Sequence, residues 1–255
     1  MLSMEDDVFV KLLDTVDSTN CYARDEADEL WREAGCGARM AVVAARMQTA
    51  GRGQRGNVWL SQGGRNLLLS ILLRPGDRLL VKEQFCLSQT VAVALHRTMS
   101  CYGIETLLKW PNDIYVGNRK LAGVLVELDF SGQYIEQAII GIGLNVNQEQ
   151  FPHMERIPVS MKMLIGKELA TDDVLTVLID EFKELYDELL FGNRDVFVSR
   201  YERLLLGYGE RRLYKDSNGE FYAVIEGVDP SGQLLLRHDD GALLRYRFKE
   251  VEQFV

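Results

Sequence analysis

The chain's 255 residues are long for one domain and short for two average ones, so one large domain with a small appendage is expected. A hydrophobic share of 47% beside 26% charged residues excludes a disordered polymer. The longest apolar runs, such as Asn66-Leu-Leu-Leu-Ser-Ile-Leu-Leu73, are too short to span a bilayer, and a net charge of −9 weighs against sequence-independent nucleic-acid binding.

Met1-Leu-Ser-Met-Glu-Asp-Asp7 is acidic and has no long apolar segment, so no signal peptide is expected. Val8 to Val16 reads as a first strand. Asp17-Ser-Thr-Asn20 then supplies helix-capping oxygens, and Ala23, Ala27, Leu30, Trp31 and Ala34 recur at helical spacing until Gly35. Met40 to Arg46 and Asn66 to Leu73 are strands on either side of a glycine-rich loop. Leu87, Val91, Ala94, Leu95, Thr98 and Tyr102 mark an amphipathic helix stopped by Gly103. A meander follows: Leu107 to Trp110, Ile114 to Val116, a Gly117-Asn118 turn, Lys120 to Phe130, a Ser131-Gly132 turn, and Tyr134 to Ile142. Two helices, Asp172 to Phe191 and about Asp195 to Leu206, come next. Beyond Gly207 the turn signals Ser217-Asn-Gly219, Asp229-Pro-Ser-Gly232 and Asp239-Asp-Gly241 crowd together with no helix between them, as in a small β-barrel. The expected boundary divides residues 1–206 from 207–255.

Cys21, Cys36, Cys86 and Cys101 form no C-x-x-C pair and fit reduced thiols of a cytoplasmic protein. His96, His153 and His238 are too scattered for metal-ligand spacing. Ala34 to Gly76 lacks any Asp or Glu but contains Arg39, Arg46, Arg52, Arg55, Arg65 and Arg74. A basic stretch in an acidic chain points to a focused anion site, with a solvated basic face as the plain alternative.

Three islands carry chemistry. Gly51-Arg-Gly-Gln-Arg-Gly56 matches G-x-G-x-x-G, yet Asn57 to Asn66 has no helical period, and a dinucleotide fingerprint needs a helix there. No Gly-Lys-Ser/Thr closes the run as a phosphate loop either. What remains is a flexible loop whose backbone N–H groups and arginine forks suit a phosphate or carboxylate, or else a solvated surface loop. Lys109-Trp-Pro-Asn-Asp113 with Arg119-Lys-Leu-Ala-Gly123 gathers two lysines, an amide and a carboxylate in one hairpin. That set suits an anion with a metal, or a plain charge network at a strand edge. Gly141-Ile-Gly-Leu-Asn-Val146 ends a buried strand with two small residues, a pattern of close ligand approach or of a β-bulge. Neither a nucleophile elbow nor a zinc helix is visible, so activation and positioning are expected rather than a covalent protein intermediate.

In this order, with Asp17-Ser-Thr-Asn20 and Gln48-Thr-Ala-Gly-Arg-Gly53 in front, these islands resemble the biotin–protein ligase family over nearly the whole chain. The resemblance implies an α+β fold: a mixed, largely antiparallel sheet flanked by helices, of the class II aminoacyl-tRNA-synthetase-like kind, with a small C-terminal SH3-like β-barrel. It implies a two-step reaction. Biotin and Mg-ATP give biotinyl-adenylate, and a lysine of a biotin carboxyl-carrier protein then takes the biotin. It implies that Arg52, Lys120 and Asp113 are catalytic. Ser18, Thr19, Asn20, Gln48, Arg52, Gly53, Gln54 and Lys120 would bind biotin; Arg55, Trp59, Lys109, Asn112, Asp113 and Asn145 would bind the nucleotide, with Trp59 packed on adenine. No metal ligand is assigned.

Gln54 departs from the family, which commonly has arginine there; glutamine donates a hydrogen bond but brings no charge. Arg52 or Arg55 is expected to compensate, or the adenylate to be held less tightly. The chain begins almost at the first strand, so an operator-binding helix-turn-helix, and with it DNA binding, is not expected; no membrane partner is expected, and a homodimer is left open. Ser160-Met-Lys-Met163 resembles a biotin-acceptor core, but it leads toward a helical stretch and Lys162 is expected to be incidental. A lipoate–protein ligase-like acyl transferase and a non-catalytic biotin sensor are the competing readings.

Overall fold

The computed structural model describes residues 7–152, 156–192 and 194–254. A seven-stranded sheet runs in the order β1-β2-β3-β7-β6-β5-β4, built from β1 (Val8–Val16), β2 (Met40–Gln48), β3 (Leu67–Leu73), β4 (Leu107–Lys109), β5 (Asp113–Val116), β6 (Arg119–Ser131) and β7 (Tyr134–Leu144). Only β1 and β2 pair in parallel. A parallel pair needs a crossover, which α1 (Thr19–Asp25) and α2 (Ala27–Ala34) provide.

The helix expected from Asn20 to Gly35 is thus two helices. The break falls at Glu26 (φ −104°, ψ 17°), which puts Asp28 and Glu29 in the first turn of α2, where the helix dipole favours negative charge. The turn expected at Ser131-Gly132 lies one residue later, because Ser131 still pairs with Tyr134. Every other expected element of this region is present with ends shifted by a few residues.

Alternation along β2 divides the core. Met40, Val42 and Ala44 face a large cluster under α3 (Phe85–Cys101) and α5 (Thr171–Phe191), with Leu87, Val91, Leu178 and Phe182. Ala41 and Val43 face Ala23, Ala27 and Leu30 of the two short helices. The strand β3 is buried on both faces, which explains its unbroken apolar run. Short α4 (Met161–Ile165) and then α6 (Arg194–Arg203) complete the helical layer.

A second, antiparallel sheet follows in the order β11-β10-β9-β8-β12, from β8 (Arg211–Asp216), β9 (Gly219–Val228), β10 (Leu234–His238), β11 (Leu243–Tyr246) and β12 (Glu252–Gln253). The Asp229 turn behaves as its sequence suggests: the carboxylate accepts from the Ser231 and Gln233 N–H groups at 2.9 and 3.0 Å. This unit seats closely on the first. The Trp110 indole donates to the Gly232 carbonyl at 3.0 Å, and its ring meets Phe248 edge-on at 6.2 Å. Any side chain at Gly232 would strike Phe85 of α3 (2.6 Å). Among the described residues no helix is long and apolar enough to cross a membrane.

Candidate active site

A cavity of about 960 Å³ opens between the two units. Its walls are the start of α1, the loop after β2, the β4–β5 turn, the glycine-bearing stretches of β6 and β7, and the C-terminal segment 248–254. Of the expected residues, Ser18, Thr19, Asn20, Gln48, Arg52, Gly53, Gln54, Trp59, Lys109, Asn112, Asp113 and Lys120 all line it. The Arg55 side chain lies outside the described residues, as does His153.

The loop folds as a tiny hairpin. Arg52 bridges Val58, the Gly53 N–H donates to the Asn57 carbonyl at 2.7 Å, and the Trp59 N–H donates to the Gly51 carbonyl at 2.9 Å. This turns the Trp59 indole onto a glycine floor. Gly123 and Gly143 sit opposite one another on β6 and β7, and a Cβ on Gly143 would lie 2.3 Å from the indole. The Lys120 ammonium lies 5.5 Å above the ring. Neither the indole N–H nor the Gln54 side-chain Oε1 finds a partner among the described residues, although both are buried.

One end of the cavity is lined by amides and hydroxyls. Ser18 caps α1 without a side-chain cap bond, so its hydroxyl is not tied to the helix. The Thr19 N–H donates to Gln48 Oε1 at 2.7 Å. Behind these residues lies a group the sequence did not reveal. Ser70, fully buried in β3, reaches Thr19 Oγ1 at 2.8 Å and Asn20 Oδ1 at 2.6 Å, and Asn20 Nδ2 donates to Glu127 at 2.8 Å. Glu127 is also paired with Arg24 at 2.7 Å and Arg52 at 3.2 Å. A lone serine among leucines and isoleucine was the available signal.

The other end is cationic. Asp113 is nearly buried and bridges Lys120 (2.7 Å) and Arg156 (2.5 Å). Lys109, paired with Asp113 across the β4–β5 register, lies 5.4 Å from the Tyr115 ring. Burial lowers the pKa of the Lys109 ammonium below its usual value, and the neighbouring Arg156 pushes the same way. Burial drives the Tyr115 phenol up to about 12. Three cations lie around Asp113, and with Glu252 also acting on Lys109 they still leave a surplus that an anion would balance. Arg156 had no sequence signal. Asn112 fixes the turn by donating its side-chain amide to the Val124 carbonyl.

Two expected residues make contacts of their own. Asn145 does not line the cavity: its Nδ2 donates to the Val159 carbonyl at 3.1 Å, and its backbone carbonyl receives the Met161 N–H, so it ties the end of β7 to the start of α4. Arg52 is held by Glu127 at the amide-lined end and contacts Cys21, which leaves Arg156 as the additional cation beside Lys120. Lys162 is in α4, paired with Glu149 at 2.7 Å.

The biotin/lipoate A/B protein ligase family model matches residues 16–145, the stretch that holds the amide-lined end together with Lys109, Asp113 and Lys120. The biotin–[acetyl-CoA-carboxylase] ligase of Paracoccus denitrificans is 31% identical over 243 residues, 90% of this chain and 95% of that one. The chain belongs to this family. Another relative, the bifunctional ligase/repressor BirA of Bacillus subtilis, is 34% identical over 203 residues; the match takes in 78% of this chain and 62% of that one. Among solved structures, the biotin protein ligase of Aquifex aeolicus in complex with biotin and ATP superposes with a TM-score of 0.78, at 25% identity, over 96% of this chain and 99% of that one. The fold is therefore the family's α+β ligase fold with its C-terminal SH3-like unit.

The Glu127 cluster has a pH signature. Burial alone would raise its carboxyl pKa, but the Asn20 hydrogen bond and the Arg24 and Arg52 ion pairs outweigh burial and hold it below the ordinary 4.5. Its stabilising contribution is complete above the unfolded value and is lost as the pH falls through the depressed folded value. In urea titrations of Glu127→Gln, the loss of stability against the parent is expected to be full at neutral pH and to shrink below about pH 4. An unchanged difference at acid pH would show that the charge plays no part.

Proposed function

We propose that this chain activates biotin with ATP and transfers it to a lysine of a biotin carboxyl-carrier protein. The observation that carries the reading is one cavity with an amide- and hydroxyl-lined end joined over a glycine floor to a three-cation end. The first end suits a polar ring without net charge, and the second suits a carboxylate beside a triphosphate. The family takes in biotin and lipoate ligases alike, and the relatives' names favour biotin over other acyl groups. Four free cysteines fit a cytoplasmic setting.

In the first step the biotin carboxylate oxygen attacks the α-phosphorus of ATP, and pyrophosphate leaves. Two anions must meet, and their repulsion is the barrier the protein can lower. Lys120 and Arg156 supply positive charge at the junction, with Lys109 on the nucleotide side. Asp113 keeps both cations oriented until the phosphates draw on them. Asn112 belongs to the same wall. In the second step an acceptor amine attacks the acyl carbon, AMP leaves, and an amide forms. Asp113 would receive the proton that the amine gives up.

Magnesium fits as a passenger on the nucleotide. Among the described residues no three His, Cys, Asp or Glu side chains gather, and Asp113 is the nearest carboxylate to the cationic end. Magnesium is commonly held by one carboxylate together with phosphates and water, and it offsets phosphate charge.

Biotin-dependent exchange between ATP and labelled pyrophosphate tests the first step directly. The parent chain is expected to exchange, and Lys120→Ala to fall by about 100-fold or more while still binding biotin. Absence of biotin-dependent exchange in the parent, or full exchange in Lys120→Ala, would contradict the reading. Trp59 supplies a second test. To stack on adenine its indole must leave the Gly123–Gly143 floor, so adding biotin with Mg-ATP is expected to shift tryptophan emission. Trp59→Phe should abolish that shift although Trp31 and Trp110 remain; a shift that persists would place the change elsewhere.

A further inference from the structure

The chain of contacts behind the amide-lined end has a direction that follows from counting protons. Glu127 is ionised by its arginine partners and can only accept, and the Leu125 carbonyl, 3.4 Å from the same Asn20 nitrogen, can only accept. The Asn20 atom facing them is therefore the NH₂ group, and its carbonyl oxygen faces Ser70. That oxygen carries no proton, so the single Ser70 proton goes to it across 2.6 Å. Ser70 then has none left for Thr19. At 2.8 Å, two hydroxyl oxygens need a proton between them, so Thr19 donates to Ser70. Thr19 in turn has none left for the cavity, and Gln48 Oε1, 3.2 Å away, is satisfied by the Thr19 backbone N–H at 2.7 Å. Gln48 Nε2 therefore remains available as a donor.

The fold makes room for this relay. A Cβ on Gly141 of β7 would sit 2.1 Å from Asn20 Oδ1, so only glycine there lets the amide lie against the sheet. Ser70 is fully buried in a strand otherwise made of leucine and isoleucine, where a hydroxyl without partners would be costly.

We propose that Glu127, acting through Asn20 and Ser70, fixes Thr19 as a hydrogen-bond acceptor in the cavity and so selects acyl substrates that bring a ring N–H to that end. Glu127 and Ser70 touch no substrate; they are positioning residues for specificity. The inference rests on the biotin reading, because a cyclic urea offers a carbonyl flanked by two N–H groups. One N–H meets the Thr19 lone pair, and the carbonyl is left to donors such as Gln48 Nε2 and the Ser18 hydroxyl. A site committed to accept an N–H rejects an isostere that lacks it, because the acceptor then faces another lone pair.

Calorimetric binding to the full chain tests this with biotin and two analogues, in which each ring N–H in turn is replaced by oxygen. The parent is expected to bind biotin about 10-fold or more tightly than one of the two analogues. In Ser70→Ala the Thr19 proton is released to either partner; biotin should weaken by about 10-fold while that preference falls to within about 3-fold. Glu127→Gln, whose amide lets Asn20 flip, should lose the preference in the same way, and it remains decisive if Ser70→Ala fails to fold. Ser70→Thr keeps the hydroxyl and should keep the preference. Equal weakening of biotin and both analogues in Ser70→Ala and Glu127→Gln would reduce the two residues to packing and overturn the relay. A parent chain that binds biotin without preferring it over either analogue also overturns the relay but leaves the function reading intact. A parent that binds none of the three removes the biotin reading and the relay together.

Discussion

Asp113 sits between Lys120 and Arg156, with Lys109 beside them across the β4–β5 pair, so one carboxylate faces three cations in a chain of net charge −9. Most of the cavity can be understood from that imbalance. An acidic surface repels anionic substrates in general, while a focused positive pocket draws them to one place. The carboxylate keeps the cations fixed and close, and the downward push on the Lys109 pKa reflects the same crowding of burial and like charge. A hairpin is a sound frame for such a cluster. Lys109 and Asp113 share a register pair, and the Lys120 N–H and carbonyl are held by Ile157 and Val159 at 2.8 and 2.9 Å.

The opposite end works by shape and proton placement instead of charge. Its arginines, Arg24 and Arg52, are both paired with Glu127, which holds them beside the hydroxyls and amides that face the cavity. The glycines of β6 and β7 join the two ends. Gly141 admits Asn20, and Gly123 with Gly143 admits a flat ring, at present the Trp59 indole. A side chain at any of these positions would block the path between a polar head group and the cations. The loop that brings Trp59 there is held by few backbone bonds, which suits a segment that must rearrange when a substrate occupies the floor.

Much of this was legible in the sequence because local rules agreed with the fold. Period-two and helical spacing located the strands and long helices, and the tight turns fell at glycines, with Gly117 and Gly132 in the left-handed region. The single long helix after the first strand failed because periodicity does not register a one-residue break; the acidic pair Asp28 and Glu29 was the only local hint. Residues that line the cavity from recognisable motifs were found. Ser70 and Glu127 were missed because their partners lie tens of residues away, and Arg156 because nothing around it has a period or motif. Asn145 sits inside a motif, and its amide serves the backbone of the next segment. The contribution of residues 248–254 to the cavity wall depends on how the second sheet docks, through contacts such as Trp110 with Gly232 that no local pattern announces.

The proposed function joins two steps in one cavity, activation of biotin and its delivery to a protein lysine. Intact-mass measurement of a purified apo carrier domain, incubated with this chain, biotin and Mg-ATP, tests it most directly. The account predicts a mass gain equal to one biotinyl group per carrier, dependent on ATP and undiminished by excess lipoate. An unmodified carrier that a known biotin ligase modifies under the same conditions, or a gain of a lipoyl group instead, would contradict it.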